Sequence, residues 1–242
     1  MSGPADLPTE LRTDPPTDLP KDPPTDLLQG PLAIVDVETT GGNPLQDRVI
    51  EIAVIELDNG EETGRWSSLV NPGISVPPVI EGLTGIGNRM LIRAPRFPEI
   101  AASLAQRLSG RLFIAHNVRF DFGFVTSEFA RAGLEYCAPT LCTVRLSRRL
   151  YPHHRYHNLD ALIERHGLAC GDRHRAMGDA QALVQFLRTA REECGEAAIT
   201  DALRRIFGKP ALRRIFGKPA LRHIAGKAVP PQRETPNSPV DT

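Results

Sequence analysis

The chain has 242 residues, 40% of them hydrophobic and 24% charged, with 29 basic side chains against 29 acidic ones. This composition suits one globular domain with tails, or two small domains, and its balanced charge argues neither for nor against a polyanionic partner. No apolar run reaches the roughly 18 residues of a membrane span, and the opening MSGPADLPTE shows no basic stretch followed by an apolar one, so no secretory leader is expected there. The cysteines, Cys137, Cys142, Cys170 and Cys194, form no CxxC pair, so a cytoplasmic chain with reduced thiols is expected. A zinc site from Cys137, Cys142 and His153 or His154 would have poor spacing.

Residues 1–30 form an approximate eight-residue repeat, LPTELRTD, PPTDLPKD, PPTDLLQG. Recurrent proline and the absence of any helix or strand period predict a disordered, Pro/Asp-rich tail. From Leu32 the pattern changes. Leu32 to Val37 (LAIVDV) reads as a buried strand, Val49 to Leu57 as a second rich in β-branched residues, and Trp66 to Val70 as a third. The short connections favour an antiparallel meander. Phe97 to Leu108 carries Ile100, Leu104 and Leu108 at four-residue spacing and reads as a helix. Arg111 to Ala115 is a further short strand. Helices are then expected over Phe122 to Ala132, Cys142 to Leu150, from Asn158 (a residue that can cap its own helix), and over Ala176 to Arg191. Strands first, then alternating helices and strands, indicate an α/β domain on a mixed sheet, taken here as residues 31–192. Residues 193–242 form a basic tail. Within it Ala202–Pro210, Ala211–Pro219 and Ala220–Ala228 repeat with period nine, carrying eight basic residues and no acid. Leu, Ile and Phe share one helical face in the first two copies, each interrupted by Gly-Lys-Pro; the third has Ala225 in place of Phe and ends Gly-Lys-Ala. The basic repeat suits salt-dependent phosphate binding, a partner groove, or no dedicated role.

Three segments carry candidate chemistry. Asp36 and Glu38 stand at i and i+2 at the end of an apolar strand, so both side chains share a face. Adjacent part-buried carboxylates repel, and a hard divalent cation such as Mg²⁺ or Mn²⁺ removes that cost. Taken alone, the pair reads equally as a solvated strand edge. Asp121 lies between Phe120 and Phe122 at the start of an apolar helix, just after the polar His116-Asn117 pair; by itself it could be an acid favoured by the helix dipole. His174 and Asp179, five residues apart, would not share one helical face. They reach a common site if His174 sits on a loop and Asp179 in the first turns of the helix.

Together the three segments are far more specific. The order D-x-E (Asp36, Glu38), H-N-x(3)-D (His116, Asn117, Asp121) and H-x(4)-D (His174, Asp179) resembles the DEDDh 3′→5′ exonucleases, among them the proofreading epsilon subunits of bacterial DNA polymerase III. The resemblance spans residues 31–190 and includes VDVETTG (35–41), GLT (82–84), IAHNVRFDFGF (114–124) and HNLDAL (157–162). The stretch 141–168 is also similar to exonuclease domains fused to a GIY-YIG excision-repair nuclease; no GIY-YIG segment is present, so a stand-alone form is expected. The resemblance implies an RNase H-like mixed five-stranded sheet flanked by helices. It implies two divalent cations, Mg²⁺ or Mn²⁺, held by Asp36, Glu38, Asp121 and Asp179, with His174 as general base. Imidazole titrates near pH 6.5 in solution, which suits proton acceptance at pH 7 to 8. The family pattern further implies that the backbone near Thr39 and Thr40 holds the 3′-terminal nucleotide, that Leu83 wedges against its base, and that Asn117 orients the strand. Where many proofreading relatives have histidine, this chain has Glu81. The implied reaction releases nucleoside monophosphates from single-stranded or frayed DNA 3′ ends, in proofreading or repair, with a DNA polymerase subunit as a candidate partner. The alternatives are an RNA-trimming exoribonuclease with the same chemistry, and a non-catalytic nucleic-acid-binding scaffold, which the intact set of four acids and one histidine disfavours.

Overall fold

In the computed structural model, which describes residues 27–171, 173–207 and 221–223, the first three strands form the expected meander. Strand β1 (Leu32–Thr39) pairs antiparallel with β2 (Val49–Asp58), placing Ile34 opposite Ile55, Asp36 opposite Ala53 and Glu38 opposite Glu51. Strand β3 (Glu61–Leu69) returns along β2. The third strand thus starts five residues before the expected Trp66. Its first residues, EETGR, are polar because β3 is an edge strand with one face in water, and they conceal the strand from a reading based on apolar runs. Asn59 and Gly60 make the hairpin with φ of 54° and 80°, the left-handed pair that a two-residue β-turn demands.

After two short helices, α1 (Pro78–Thr84) and α2 (Asn88–Leu91), the helix α3 runs over Phe97–Leu108, the same bounds the spacing predicts. Strand β4 (Leu112–Ala115) joins β1 in parallel, and β6 (Thr140–Cys142) joins β4 in parallel. The sheet order β3-β2-β1-β4-β6 is a mixed five-stranded sheet. Helix α4 (Arg119–Arg131) begins three residues before the expected Phe122. Helices α5 (Thr143–Leu150) and α6 (Leu159–His166) follow, and Asn158 caps α6 by accepting the Ala161 N–H at 3.1 Å. A short strand β5 (Leu134–Tyr136) pairs antiparallel with β7 (Leu221–His223).

Side-chain alternation along β1 divides the core between the two sheet faces. Leu32 and Ile34 join Leu141, Leu146, Leu162, Leu183 and Phe186 on the face covered by α5 to α7, while Ala33, Val35 and Val37 join Phe97, Phe113, Phe124 and Phe129 on the face covered by α3 and α4. A fully buried phenylalanine such as Phe186 or Phe129 contributes enough that truncation to alanine removes about 3–5 kcal/mol. A small third cluster of Ile50, Val76, Ile86 and Leu91 fastens the α1–α2 segment to β2.

Helix α7 spans Ala176–Phe207, well past the expected Arg191. Gly195, with φ 77° and ψ 161°, breaks its helical geometry, and the second part then packs Ile199, Ala202 and Leu203 into the core. The first copy of the nine-residue repeat therefore lays its apolar face on the domain. Residues 1–26, and the later repeat copies apart from residues 221–223, lie outside the described residues, as do the tail conformations expected for them. Among the described residues no helix is long and apolar enough to cross a membrane.

Candidate active site

The alternation that buries Leu32 and Ile34 under α7 carries Asp36 and Glu38 to the same side, where β1 runs out. Asp179 meets them from the first turn of α7. One carboxylate oxygen from each of Asp36, Glu38 and Asp179 lies within 4.8 Å of the other two, the one such group of metal-ligand side chains among the described residues.

Asp121 arrives from α4 on the other side of the strand. The β1–β4 pairing ends at Ile34 and Ile114, so the next stretch of β1 has an open edge. There Asp121 Oδ1 accepts the Val37 N–H at 3.2 Å, satisfying a backbone donor that a longer β4 would have taken. Helix α4 is fixed in this pose by Glu128, which is buried and accepts two hydrogen bonds from Arg48 (Nε 2.7 Å, Nη2 2.9 Å) and one from Val49 N–H at 3.2 Å.

Crowding these acids alters their chemistry. Burial, reinforced by the charges of Asp121, Asp179 and Glu38, holds the Asp36 carboxyl well above the ordinary range. Burial and the neighbouring Asp179 and Glu51 push Glu38 up to about 7. Burial likewise lifts Asp121 to about 8, against the pull of its backbone hydrogen bonds. Negative charge therefore accumulates here only against resistance, which a bound cation would relieve. The donors are all carboxylate oxygens, the set that suits a hard divalent ion. In the protein alone Arg173 supplies positive charge: it pairs with Asp179 through Nη1 and with Asp160 at the start of α6 through Nε and Nη2, at 2.9 and 2.7 Å. Its guanidinium opposes the upward shifts of Asp36 and Glu38.

His174 lies on the loop before α7, half-buried, with φ of 58°, a left-handed conformation that is uncommon for histidine. Its two neighbours hold it there. Arg173 is anchored as described, and Arg175 makes a two-pronged ion pair with Glu51 on β2, Nε at 3.0 Å and Nη2 at 2.7 Å. Glu51 also accepts the Ala176 N–H at 2.9 Å, which caps the start of α7. The strained backbone is thus fixed on both sides by buried or part-buried charge pairs.

The remaining predicted residues are placed as follows. Thr39 ends β1 and Thr40 follows it; the Thr39 hydroxyl donates to Gly41 O at 2.6 Å, and Thr40 both donates its N–H to Arg48 O at 2.8 Å and accepts the Arg48 N–H at 3.0 Å through its hydroxyl. Leu83 stands on α1, 53% exposed. Asn117 is exposed in the turn before α4 with φ of 63°. His116 bonds Thr143 Oγ1 through Nδ1 at 2.9 Å, and burial pulls it down to about 4. Glu51, Asp160, Arg173 and Arg175 were not expected at the site. Glu51 was visible in principle as an acid inside the apolar run VIEIAVI, and Arg173 and Arg175 as two cations flanking His174.

A layered α/β domain with carboxylates gathered at strand and helix ends is an RNase H-like exonuclease fold. The solved structure described as Exonuclease X in complex with 5′ overhanging duplex DNA matches it with a TM-score of 0.57 at 24% identity, over 71% of this chain and 98% of that one. The RNase_T family model, described as Exonuclease, matches residues 33–187, and the chain belongs to this exonuclease family. The 3′-5′ exonuclease DinG of Bacillus subtilis (strain 168) is 41% identical over 150 residues, covering 61% of this chain and 16% of that relative. The PolC-type DNA polymerase III of Caldanaerobacter subterraneus subsp. tengcongensis is 32% identical over 172 residues, 71% of this chain and 12% of the relative. The chain thus spans only a small part of the curated relatives it matches.

Proposed function

We propose that this chain is a DEDDh 3′→5′ exonuclease that releases nucleoside monophosphates from DNA 3′ ends, acting in proofreading or repair. The observation that carries the reading is the convergence of Asp36, Glu38 and Asp179 within 4.8 Å, beneath an exonuclease-family sequence match. The family implies divalent-metal dependence. In this reading Asp36, Glu38, Asp121 and Asp179 would hold two Mg²⁺ or Mn²⁺ ions, whose chemistry is to stabilise charge on the attacking and leaving oxygens and to acidify water. His174 accepts the proton of the attacking water, and the anchored arginines on either side set the imidazole's position. The backbone near Thr39 and Thr40 takes the terminal nucleotide, Leu83 abuts its base, and Asn117 orients the strand.

The exonuclease unit covers residues 31–192, with the rest of α7 packed on it. The structural neighbour Exonuclease X, solved in complex with 5′ overhanging duplex DNA, supports DNA as substrate, and the PolC-type relative supports a polymerase-linked setting. Four free cysteines fit a cytoplasmic location. The test is incubation with single-stranded DNA, duplex, mismatched duplex and RNA, each end-labelled, in Mg²⁺ or Mn²⁺. Stepwise shortening from the 3′ end of DNA supports the proposal; shortening of RNA alone, or from the 5′ end, refutes it.

A further inference from the structure

Between Glu135 and Asp160 the sequence contains no acid, yet it carries Arg145, Arg148, Arg149 and Arg155. The first three sit on α5 at i, i+3 and i+4, one face of the helix, and all four are exposed. Among the described residues none of the four has an acidic partner. Arg48, Arg65, Arg107 and Arg111 elsewhere each hold a carboxylate. Beyond α5, the Arg155 guanidinium lies 5.3 Å from the centre of the Tyr156 ring, which is 61% exposed.

The loop that presents these groups is braced. His157 is buried, and its Nδ1 is 2.8 Å from Ser147 Oγ on α5 while its Nε2 is 3.0 Å from His154 O. Arg165 Nη2 donates to Tyr156 O at 2.5 Å. One end of the segment is also tied to the carboxylate site: Asp160, just after the loop, holds Arg173, which in turn holds Asp179. At the other end Thr143, the first residue of α5, bonds His116 at the end of β4. A run of unneutralised guanidinium groups with an exposed tyrosine ring, linked through Asp160 and Arg173 to the acids, matches a polyanionic strand with stacking bases.

We propose that Arg145, Arg148, Arg149 and Arg155, with Tyr156, form a shelf that grips the phosphodiester backbone of the substrate strand behind its 3′-terminal nucleotide. This rests on the exonuclease reading and adds to it a surface that governs how tightly long strands are held, separate from the residues that hydrolyse the end. Each guanidinium neutralises a phosphate and releases counterions, so its contribution grows with strand length and fades with salt.

The test compares the full chain with Arg148→Gln/Arg149→Gln/Arg155→Gln and with the matching triple lysine variant. Binding of a labelled single strand of about 20 nucleotides is followed by anisotropy in EDTA across a salt series, where loss of three phosphate contacts is expected to weaken affinity about tenfold and to flatten the log–log salt slope by about 2. The lysine variant is expected to bind as wild type does. Hydrolysis of the p-nitrophenyl ester of thymidine 5′-monophosphate, which has no upstream phosphates, is expected to be unchanged. A glutamine variant with wild-type affinity and salt slope overturns the shelf. Absence of hydrolysis of either substrate by the wild-type chain refutes the exonuclease reading instead, while the metal-free binding measurement still decides the shelf.

Discussion

Replacing Asp121 with asparagine exposes the conflict built into the carboxylate cluster. The carboxyl is 3% exposed and is held protonated up to about pH 8, against 3.8 for an ordinary aspartate. A displacement of that size corresponds to roughly 6 kcal/mol between the two protonation states. The folded-state value is raised, so the folded protein binds this proton more tightly than the unfolded chain does. The penalty is absent below the unfolded value and grows as pH rises, until it is complete near pH 8. Asparagine keeps an oxygen for the Val37 N–H and has no charge to bury. Water reaching the part-exposed Asp36 and Glu38 screens some of the repulsion, so we expect Asp121→Asn to stabilise the metal-free protein by about 3 kcal/mol at pH 8 and by much less at pH 5. Urea denaturation in EDTA at the two pH values reads this as a rise in midpoint with unchanged slope. The same variant is expected to lose nuclease activity. A variant that is less stable than wild type at pH 8, or whose gain is the same at both pH values, would refute the reasoning.

Other perturbations separate the parts of the site. His174→Ala is expected to lower kcat by about a hundred- to ten-thousand-fold, with Mg²⁺ affinity by calorimetry unchanged. Glu51→Ala removes the buried acceptor of the Ala176 N–H and of the part-exposed Arg175 guanidinium, so a loss of about 1–3 kcal/mol is expected on thermal or urea unfolding, with kcat falling as the His174 loop relaxes. Arg173→Ala removes the cation now paired with Asp179; apparent Mg²⁺ affinity is expected to rise while metal-free stability at pH 8 falls. If metal affinity fell instead, Arg173 would be supporting the ligand geometry rather than competing for it.

Much of this was legible in the residues because their patterns are local. The strand LAIVDV, the four-residue spacing over Phe97–Leu108 and the Asn158 cap each depend on neighbours in sequence, and each is found where expected. The motif order likewise placed Asp36, Glu38 and Asp179 in one group, and His174 on a loop before the helix. What escaped depends on distant partners. The polar start of β3 is a strand because β2 lies beside it. The three-residue β6 takes its form from β4. Residues 202–207 of the first repeat copy belong to α7 because Ala202 and Leu203, like Ile199 before them, find a core to enter, which no period of nine reveals. Glu51 and Arg175 are 124 residues apart, so their pairing is a property of the fold alone.

A catalytic metal site at Asp36, Glu38, Asp121 and Asp179 has one decisive comparison: purified wild-type protein against Asp36→Ala on 5′-end-labelled single-stranded DNA in Mg²⁺, with circular dichroism checking that both are folded. Wild type is expected to give a descending ladder from the 3′ end, and the variant to leave the strand undegraded. Full activity in folded Asp36→Ala protein would rule the site out.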